Sequence, residues 1–513
     1  MSQASKKAYI TTPIYYPSGK PHLGSAYTTL AADIYARFKR LDGFDVKFST
    51  GTDEHGLKLQ RAAEKEGLTP QAYVDKMSAM FREIEPIMNI SAHTFIRTTE
   101  DYHQKTAQVM WQKLEEAGYI YKDSYAGWYC ISDESYYTEE ELVDGKSPMS
   151  GHPVEWMEEE SYFFKLSAFR EKLLDLYDRR PELVQPQGRL NEVLGFLKGE
   201  VRDISISRTT FDWGVPVPNG PGHVMYVWID ALTNYLSVLG WPSEENMDYW
   251  PATHLVGKDI LRFHSVYWPA MLMGAGLTEE QLPKVYAHGW WTVDGDKMSK
   301  SKGNVVDPET LTEQYSRDIV RYFLMREVPF GNDGDFSETR LIERTNSDLA
   351  NALGNLFQRV LSMTAKNCEG KVPALGELDA ADAEFLNGFK GMVGDVRMHI
   401  DDLQFHKALD VIWSRVHAAN AYMDAKEPWK HKKENPELMA HILRVLMEGF
   451  VSITHTLDAF MPESMARVKA FLGTTDMTLN QIENADGYLL TDGAELPKPE
   501  GVFPRIQPKE EAA

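Results

Sequence analysis

The chain has 513 residues, 43% of them hydrophobic and 25% charged, with a formal net charge of −22. At roughly 100–200 residues per domain that length suits two or three cored domains, and the composition excludes a disordered, fibrous or disulfide-stapled chain. The acidic balance on its own argues against a nucleic-acid binder, although a large enzyme can hold a basic stripe inside an acidic field.

No stretch approaches the ~18 consecutive apolar residues of a membrane span. Residues 1–12 carry two lysines with no apolar run behind them, so neither a signal nor a transit peptide is expected. The only cysteines, Cys130 and Cys368, lie far apart. A disulfide framework is therefore not expected, and a cytoplasmic location is.

In chain order, residues 8–12 read as a short strand and Pro17-Ser18-Gly19-Lys20-Pro21 as a turn. Leu30, Ile34, Phe38 and Leu41 then recur along one helical face. Asp42-Gly43 ends that helix, because glycine takes the left-handed cap at little cost. Val46 and Phe48 alternate with polar neighbours as a strand does. This βαβ unit opens an α/β doubly wound, Rossmann-type domain. Residues 119–224 are rich in Tyr, Glu and Gly and read as an inserted α+β connective domain. The α/β elements resume near 254–257 and 285–291. From 337 onward the pattern is helical, with Leu349, Leu353 and Leu356 on one face and Leu409, Ile412 and Val416 on another. Residues 495–507 are Pro-rich and read as extended. The expected divisions are 1–118 and 225–290 for the two Rossmann halves, 119–224 for the insert, 291–345 for a following loop region, and 346–513 for an all-α helix bundle.

Two short motifs carry chemistry. Pro21-His22-Leu23-Gly24 stands at the mouth of the first helix, where α/β folds bind ligands. Free N–H groups and the helix dipole there suit phosphate. His22 can donate to a phosphate oxygen, and Gly24 allows close approach to the backbone. The second motif, Lys297-Met298-Ser299-Lys300-Ser301, follows the turn-forming pair Asp294-Gly295. Its two lysines and two hydroxyls suit a pyrophosphate leaving group whose charge develops in the transition state.

With His22-Leu23-Gly24-Ser25 and an unaltered Lys297-Met298-Ser299-Lys300-Ser301, the sequence resembles the class I aminoacyl-tRNA synthetases, nearly end to end. The resemblance implies that His22, Gly24, Ser25, Lys297, Met298, Ser299, Lys300 and Ser301 bind ATP with Mg²⁺, and that His22, Lys297 and Lys300 stabilise the transition state of carboxylate attack on the α-phosphate. Three segments resemble the methionyl branch: Thr11-Thr12-Pro13-Ile14-Tyr15-Tyr16, Tyr226-Val227-Trp228-Ile229-Asp230-Ala231, and Gly257-Lys258-Asp259-Ile260 with Phe263-His264. Carried over, Ile14, Tyr16, Trp228, Ala231, Tyr235, Ile260 and His264 line a methionine side-chain pocket, and Asp53 holds the substrate ammonium. Aromatic edges suit a thioether, and tyrosine or histidine hydroxyl and N–H groups are expected to donate weakly to the sulfur. In the helical part the resemblance gives Asn355, Arg359 and Trp429 to the anticodon, by stacking and hydrogen bonds. The implied partners are initiator and elongator tRNA(Met), L-methionine and ATP.

The chain also departs from that family. Relatives with a zinc knuckle carry four Cys or His ligands in the insert, whereas here those positions read Cys130, Asp133, Ser147 and Ser150. A structural zinc site needs a closed N/S tetrad, so no metal is expected. Ser25 replaces a second histidine. Unless another donor substitutes, the loss costs ~2.7–4 kcal/mol in the transition state. Ser25→His is then expected to raise the adenylation rate, and an unchanged or lower rate removes the idea. The chain ends soon after the helical part, which suggests a monomer. A synthetase for leucine, isoleucine or valine would need a longer insert, and one for cysteine a thiolate-rich pocket. The alternative from another class is a non-catalytic, synthetase-like RNA- or partner-binding protein.

Overall fold

The structure, a computed structural model, describes residues 6–133, 135–293, 295–298 and 304–507. Strand β1 (Lys7–Thr11) leads through a loop to helix α1 (Leu23–Leu41) and strand β2 (Asp45–Thr52), as the βαβ pattern predicts. Leu30, Ile34 and Phe38 are fully buried, so the apolar face read from their spacing is the packed one. Gly43 takes φ +86° just past the helix, a conformation that a side chain would strain.

By contacts the chain divides into two compact units. One holds Lys7–Ala32 and Val46–His288, the other Asp33–Asp45 and the chain from Gly289. The first is built on a six-stranded sheet in the order Thr94–Arg97, β2, β1, Thr253–Gly257, Lys284–His288, Val184–Gln185. β2 runs parallel to Thr94–Arg97, β1 parallel to Thr253–Gly257, and that strand parallel to Lys284–His288. Its core is aromatic and aliphatic, with Trp111, Trp268, Phe164 and Phe169 completely enclosed.

The insert forms a second, antiparallel sheet. Ile120–Cys130 pairs along its length with Glu155–Phe164, with Ser135–Tyr137 and Ile204–Ser205 on the outer edges. The segment 119–224 is not wholly separate, however. Val184–Gln185 returns to the parallel sheet as its edge strand beside Lys284–His288. Two residues carry no readable periodicity, so the sequence gives no sign of it.

The four zinc-knuckle positions bond to one another. Ser147 Oγ and Tyr137 OH donate to the Asp133 carboxylate, Cys130 Sγ lies 3.8 Å from Ser150 Oγ, and the Met149 and Ser150 amides donate to Ser147 Oγ. Burial pushes the Cys130 thiol up, away from the thiolate a metal would need.

In the second unit, Trp291–Val293 pairs antiparallel with Asp296–Lys297 and parallel with Gly334–Phe336. Asp335 Oδ1 accepts from Thr292 Oγ1 (2.6 Å) and the Gly295 amide (3.0 Å), and Gly295 takes φ +77°. These bonds hold Gly295, half of the expected turn pair; Asp294 lies outside the described residues. Helices follow, centred on Pro436–Leu457, which is buried on every side from Ile442 to Leu457. A helix buried on every side belongs in the middle of a bundle, and its charged pair Arg444–Glu448 is bonded within it. The Pro-rich tail lies against the bundle, where Asn346 donates to Ile506 O (2.9 Å) and accepts from Ile506 N (2.8 Å).

Candidate active site

In a doubly wound sheet ligands bind at the carboxyl ends of the strands where the strand order reverses. Here that point lies between β1 and Thr253–Gly257. The segments leaving these strands and β2 carry five of the eight residues predicted to bind methionine. Residues 13–16 follow β1, Asp53 follows β2, and Ile260 and His264 follow Thr253–Gly257.

His22 stands exposed just ahead of α1. The Gly24 amide donates to its Nδ1 at 3.0 Å. An imidazole that accepts at Nδ1 keeps its proton on Nε2, so the outer nitrogen is the ring's donor. Gly24 makes this fold-back possible, because a Cβ there would lie 2.8 Å from His22 Cε1 and 2.9 Å from Nδ1. Gly24→Ala is therefore expected to swing His22 off its seat with little change in thermal stability. Adenylation should slow by up to the ~10²–10³-fold that losing one such donor costs, as single-turnover kinetics would show. Ser25 is nearly buried, and its carbonyl accepts from Tyr15 OH and Thr29 Oγ1, both at 3.0 Å. Thr28 Oγ1 bonds His288 Nε2 at 2.7 Å and steadies the same turn.

Of the lysine-rich motif, Lys297 ends the strand Asp296–Lys297 and Met298 is buried. Ser299, Lys300 and Ser301 lie outside the described residues, as does the Lys297 side chain.

Several of the residues predicted to line the side-chain pocket pack near one another in the first unit. Trp228, Ala231 and Tyr235 share a face of helix Val227–Ser237. Trp228 stacks on Phe263, with centroids 3.6 Å apart and planes 6° from parallel, and meets the His264 ring edge-on at 6.3 Å. Tyr16, Trp228 and Ile260 pack on the same core cluster that holds Tyr235. Ile14 is half-buried, and the chain beside it runs against β2, with the Tyr15 amide on Gly51 O (2.8 Å) and the Asp53 amide on Tyr15 O (2.9 Å).

One expectation is corrected. Burial lowers the His264 pKa to about 4, with the Ile260 carbonyl opposing that drop, so the ring is neutral near pH 7. Its Nδ1–H donates to Ile260 O (3.0 Å), and Nε2 accepts from Tyr235 OH (2.7 Å). Both donors are spent on protein atoms, leaving no proton on either group for a thioether. Aromatic edges remain as what these two residues could offer a thioether. Behind it, His254 Nδ1 bonds Thr11 Oγ1 at 2.8 Å.

Asp53 is 8% exposed and its neighbour Glu54 fully buried. The Glu54 carboxylate accepts from Arg97 Nε and Thr52 Oγ1, each at 2.7 Å, and from Thr99 Oγ1. Sequence reading missed the next residue, His55, whose Nδ1 lies 2.7 Å from Asp230. A charged residue inside the apolar run Val227-Trp228-Ile229-Asp230-Ala231-Leu232 was the available signal, because buried charges need partners.

In the second unit Asn355 is exposed at the start of helix Asn355–Asn367. Arg359, one turn on, sets its guanidinium 4.9 Å from the Trp429 ring centroid, and Trp429 is 40% exposed. Glu427 takes the left-handed corner that presents Pro428 and Trp429.

Comparison with known proteins gives concordant matches. The family described as "tRNA synthetases class I (M)" matches residues 8–153 and 138–361, and the "Anticodon binding domain of methionyl tRNA ligase" matches residues 372–513. A methionine–tRNA ligase of Mesorhizobium japonicum is 50% identical over 98% of both chains, and one of Brucella melitensis 49% identical over 98% of both. A Mycobacterium tuberculosis methionyl-tRNA synthetase solved in complex with methionyl-adenylate superposes with a TM-score of 0.93 at 47% identity, covering 98% of this chain and 100% of that one.

Proposed function

Because the chain belongs to the methionine–tRNA ligases, class I tRNA synthetases, we propose how its residues divide the work of joining L-methionine to tRNA at the expense of ATP. In the first step a methionine carboxylate oxygen bonds the α-phosphorus of ATP. The bond from that phosphorus to the bridging oxygen breaks, pyrophosphate leaves, and methionyl-adenylate remains. In the second, a hydroxyl of the terminal tRNA ribose bonds the acyl carbon, and AMP leaves. No side chain acts as nucleophile, so catalysis consists of positioning and charge stabilisation.

Asp53 holds the ammonium, and Ile14, Tyr16, Trp228, Ala231, Tyr235, Ile260 and His264 enclose the thioether. His22 donates through Nε2 to a phosphate oxygen, with the Gly24 and Ser25 turn beside it. Lys297 and Lys300, with Met298, Ser299 and Ser301, act on the leaving pyrophosphate. Bound with ATP, Mg²⁺ would neutralise phosphate charge. Among the described residues no group of three or more His, Cys, Asp or Glu is arranged to hold a metal ion. Asn355, Arg359 and Trp429 receive the anticodon of initiator and elongator tRNA, Trp429 by stacking. Of the sequence divisions, 346–513 serves as the anticodon-binding part. No described helix is long and apolar enough to cross a membrane, and the working form proposed is a zinc-free monomer of the cytoplasm.

The observation that supports this division of roles is that the segments after the carboxyl ends of β1, β2 and Thr253–Gly257 carry an exposed imidazole (His22), a nearly buried carboxylate (Asp53) and aromatic residues packed on one core. The test is ATP–pyrophosphate exchange after EDTA treatment and excess Mg²⁺, with methionine set against leucine, isoleucine, valine and cysteine. Exchange with methionine alone, without added zinc, supports the assignments. A requirement for zinc, or equal exchange with an aliphatic competitor, removes them.

A further inference from the structure

The carboxylate of Asp230 is fully buried, yet it lies between two imidazoles. His55 Nδ1 is 2.7 Å from Oδ2, and His103 Nε2 is 2.7 Å from Oδ1. Burial alone would raise its pKa; the two histidines instead hold it at about 2. His103 is itself completely enclosed, and its Nδ1 meets Ser237 Oγ at 2.9 Å, two turns along the helix that carries Asp230. His55 is set edge-on against Trp213, with centroids 5.5 Å apart. Trp213 in turn donates from Nε1 to Glu54 O (2.7 Å) and accepts from the Gly56 amide (3.0 Å).

One carboxylate thus joins three elements: the pocket helix Val227–Ser237, the helix Asp101–Glu116 and the loop 53–56. An apolar residue of similar volume commonly stabilises a core as well as a buried ionic group does, so stability gives this arrangement no advantage. Its position suggests another use. Asp230 lies between Trp228 and Ala231, and His55 is two residues beyond Asp53.

We propose that Asp230 is a positioning residue for amino-acid activation, which acts through His55 to aim the Asp53 carboxylate at the substrate ammonium. This rests on the reading of Asp53 given above. A buried, hydrogen-bonded link of this kind fixes a neighbouring side chain more tightly than packing alone.

The test uses two competitive inhibitors of methionine-dependent exchange on the full chain. L-Methioninol keeps the ammonium; 4-(methylthio)butan-1-ol lacks it and keeps the thioether. In Asp230→Asn the inhibition constant for methioninol is expected to rise at least about tenfold, as for a lost hydrogen bond to a charged group, while that for the amine-free alcohol stays within about twofold. His55→Ala should reproduce this selectivity. His55→Asn, whose amide nitrogen stands where Nδ1 does, should restore methioninol binding. If both inhibitors weaken equally in His55→Ala, or neither does, Asp230 does not aim Asp53 and the proposal is overturned; this arm stands even if Asp230→Asn fails to fold. Asp53→Asn is the control. If it does not separate the two inhibitors, the ammonium role of Asp53 is wrong, a failure distinct from that of the link.

Discussion

Asp53→Asn is expected to lower kcat/KM for methionine in pyrophosphate exchange by roughly 30- to 4,000-fold, the ~2–5 kcal/mol that follows when one partner of a buried charge pair is removed. Thermal stability should hardly change. Glu54 makes the contrast. Both carboxylates follow β2, but that of Glu54 is saturated by Arg97, Thr52 and Thr99, and its backbone amide is held by Thr98 Oγ1 at 2.9 Å. Glu54→Gln puts an amide N–H₂ among donors and should unfold the loop 52–56, lowering the melting temperature along with activity. Asp53→Asn should leave folding intact and act on substrate affinity. If Asp53→Asn melted early with an unchanged KM, the two roles would be reversed.

What could be read from the sequence follows from range. The α1 helix was legible because its pattern repeats within one element, and because Gly43 and Leu30, Ile34 and Phe38 report local geometry and one buried face. Trp228, Ala231 and Tyr235 came from the resemblance alone; their spacing puts them on one face of helix Val227–Ser237 but says nothing of a pocket. Strand order was not legible, because β1 meets Thr253–Gly257 across some 240 residues, as in the Ile10–Thr253 pair, and nothing local encodes that pairing. The spacing of Leu349, Leu353 and Leu356 reads as one helical face, and all three are buried, though Leu349 and Leu353 lie in the π-helix Thr345–Gly354 and Leu356 in the α-helix that follows. The spent donors of Tyr235 and His264 were invisible for a different reason. Composition shows which groups can donate, and only three-dimensional neighbours show where the protons go.

Arg321 is the other position where a large effect is expected, this time on stability. It is completely buried and donates to Asp33 (2.7 Å), Phe460 O (3.0 Å) and Ala459 O (2.8 Å), so it ties the later turns of α1 to the chain after helix Pro436–Leu457. Arg321→Met should destabilise the unit by about 3–5 kcal/mol, because it takes one of two cations from a buried carboxylate and leaves two carbonyls unmet. The two contributions can be separated. Asp33 also accepts from Arg37 at 2.8 Å, and Arg37 is only partly buried, so Asp33 keeps one cation after the substitution. Adding Asp33→Asn to Arg321→Met removes the carboxylate's charge and leaves the carbonyls unmet. If charge dominates, the double variant should melt above the single one. If the carbonyls dominate, it should melt at or below it. The carbonyls are expected to be the smaller part, since leaving a buried neutral acceptor unpaired costs ~1–3 kcal/mol and a charged group more. Unfolding of a chain this size is commonly irreversible, so the comparison belongs at one scan rate, with melting temperatures ranked rather than converted to free energies.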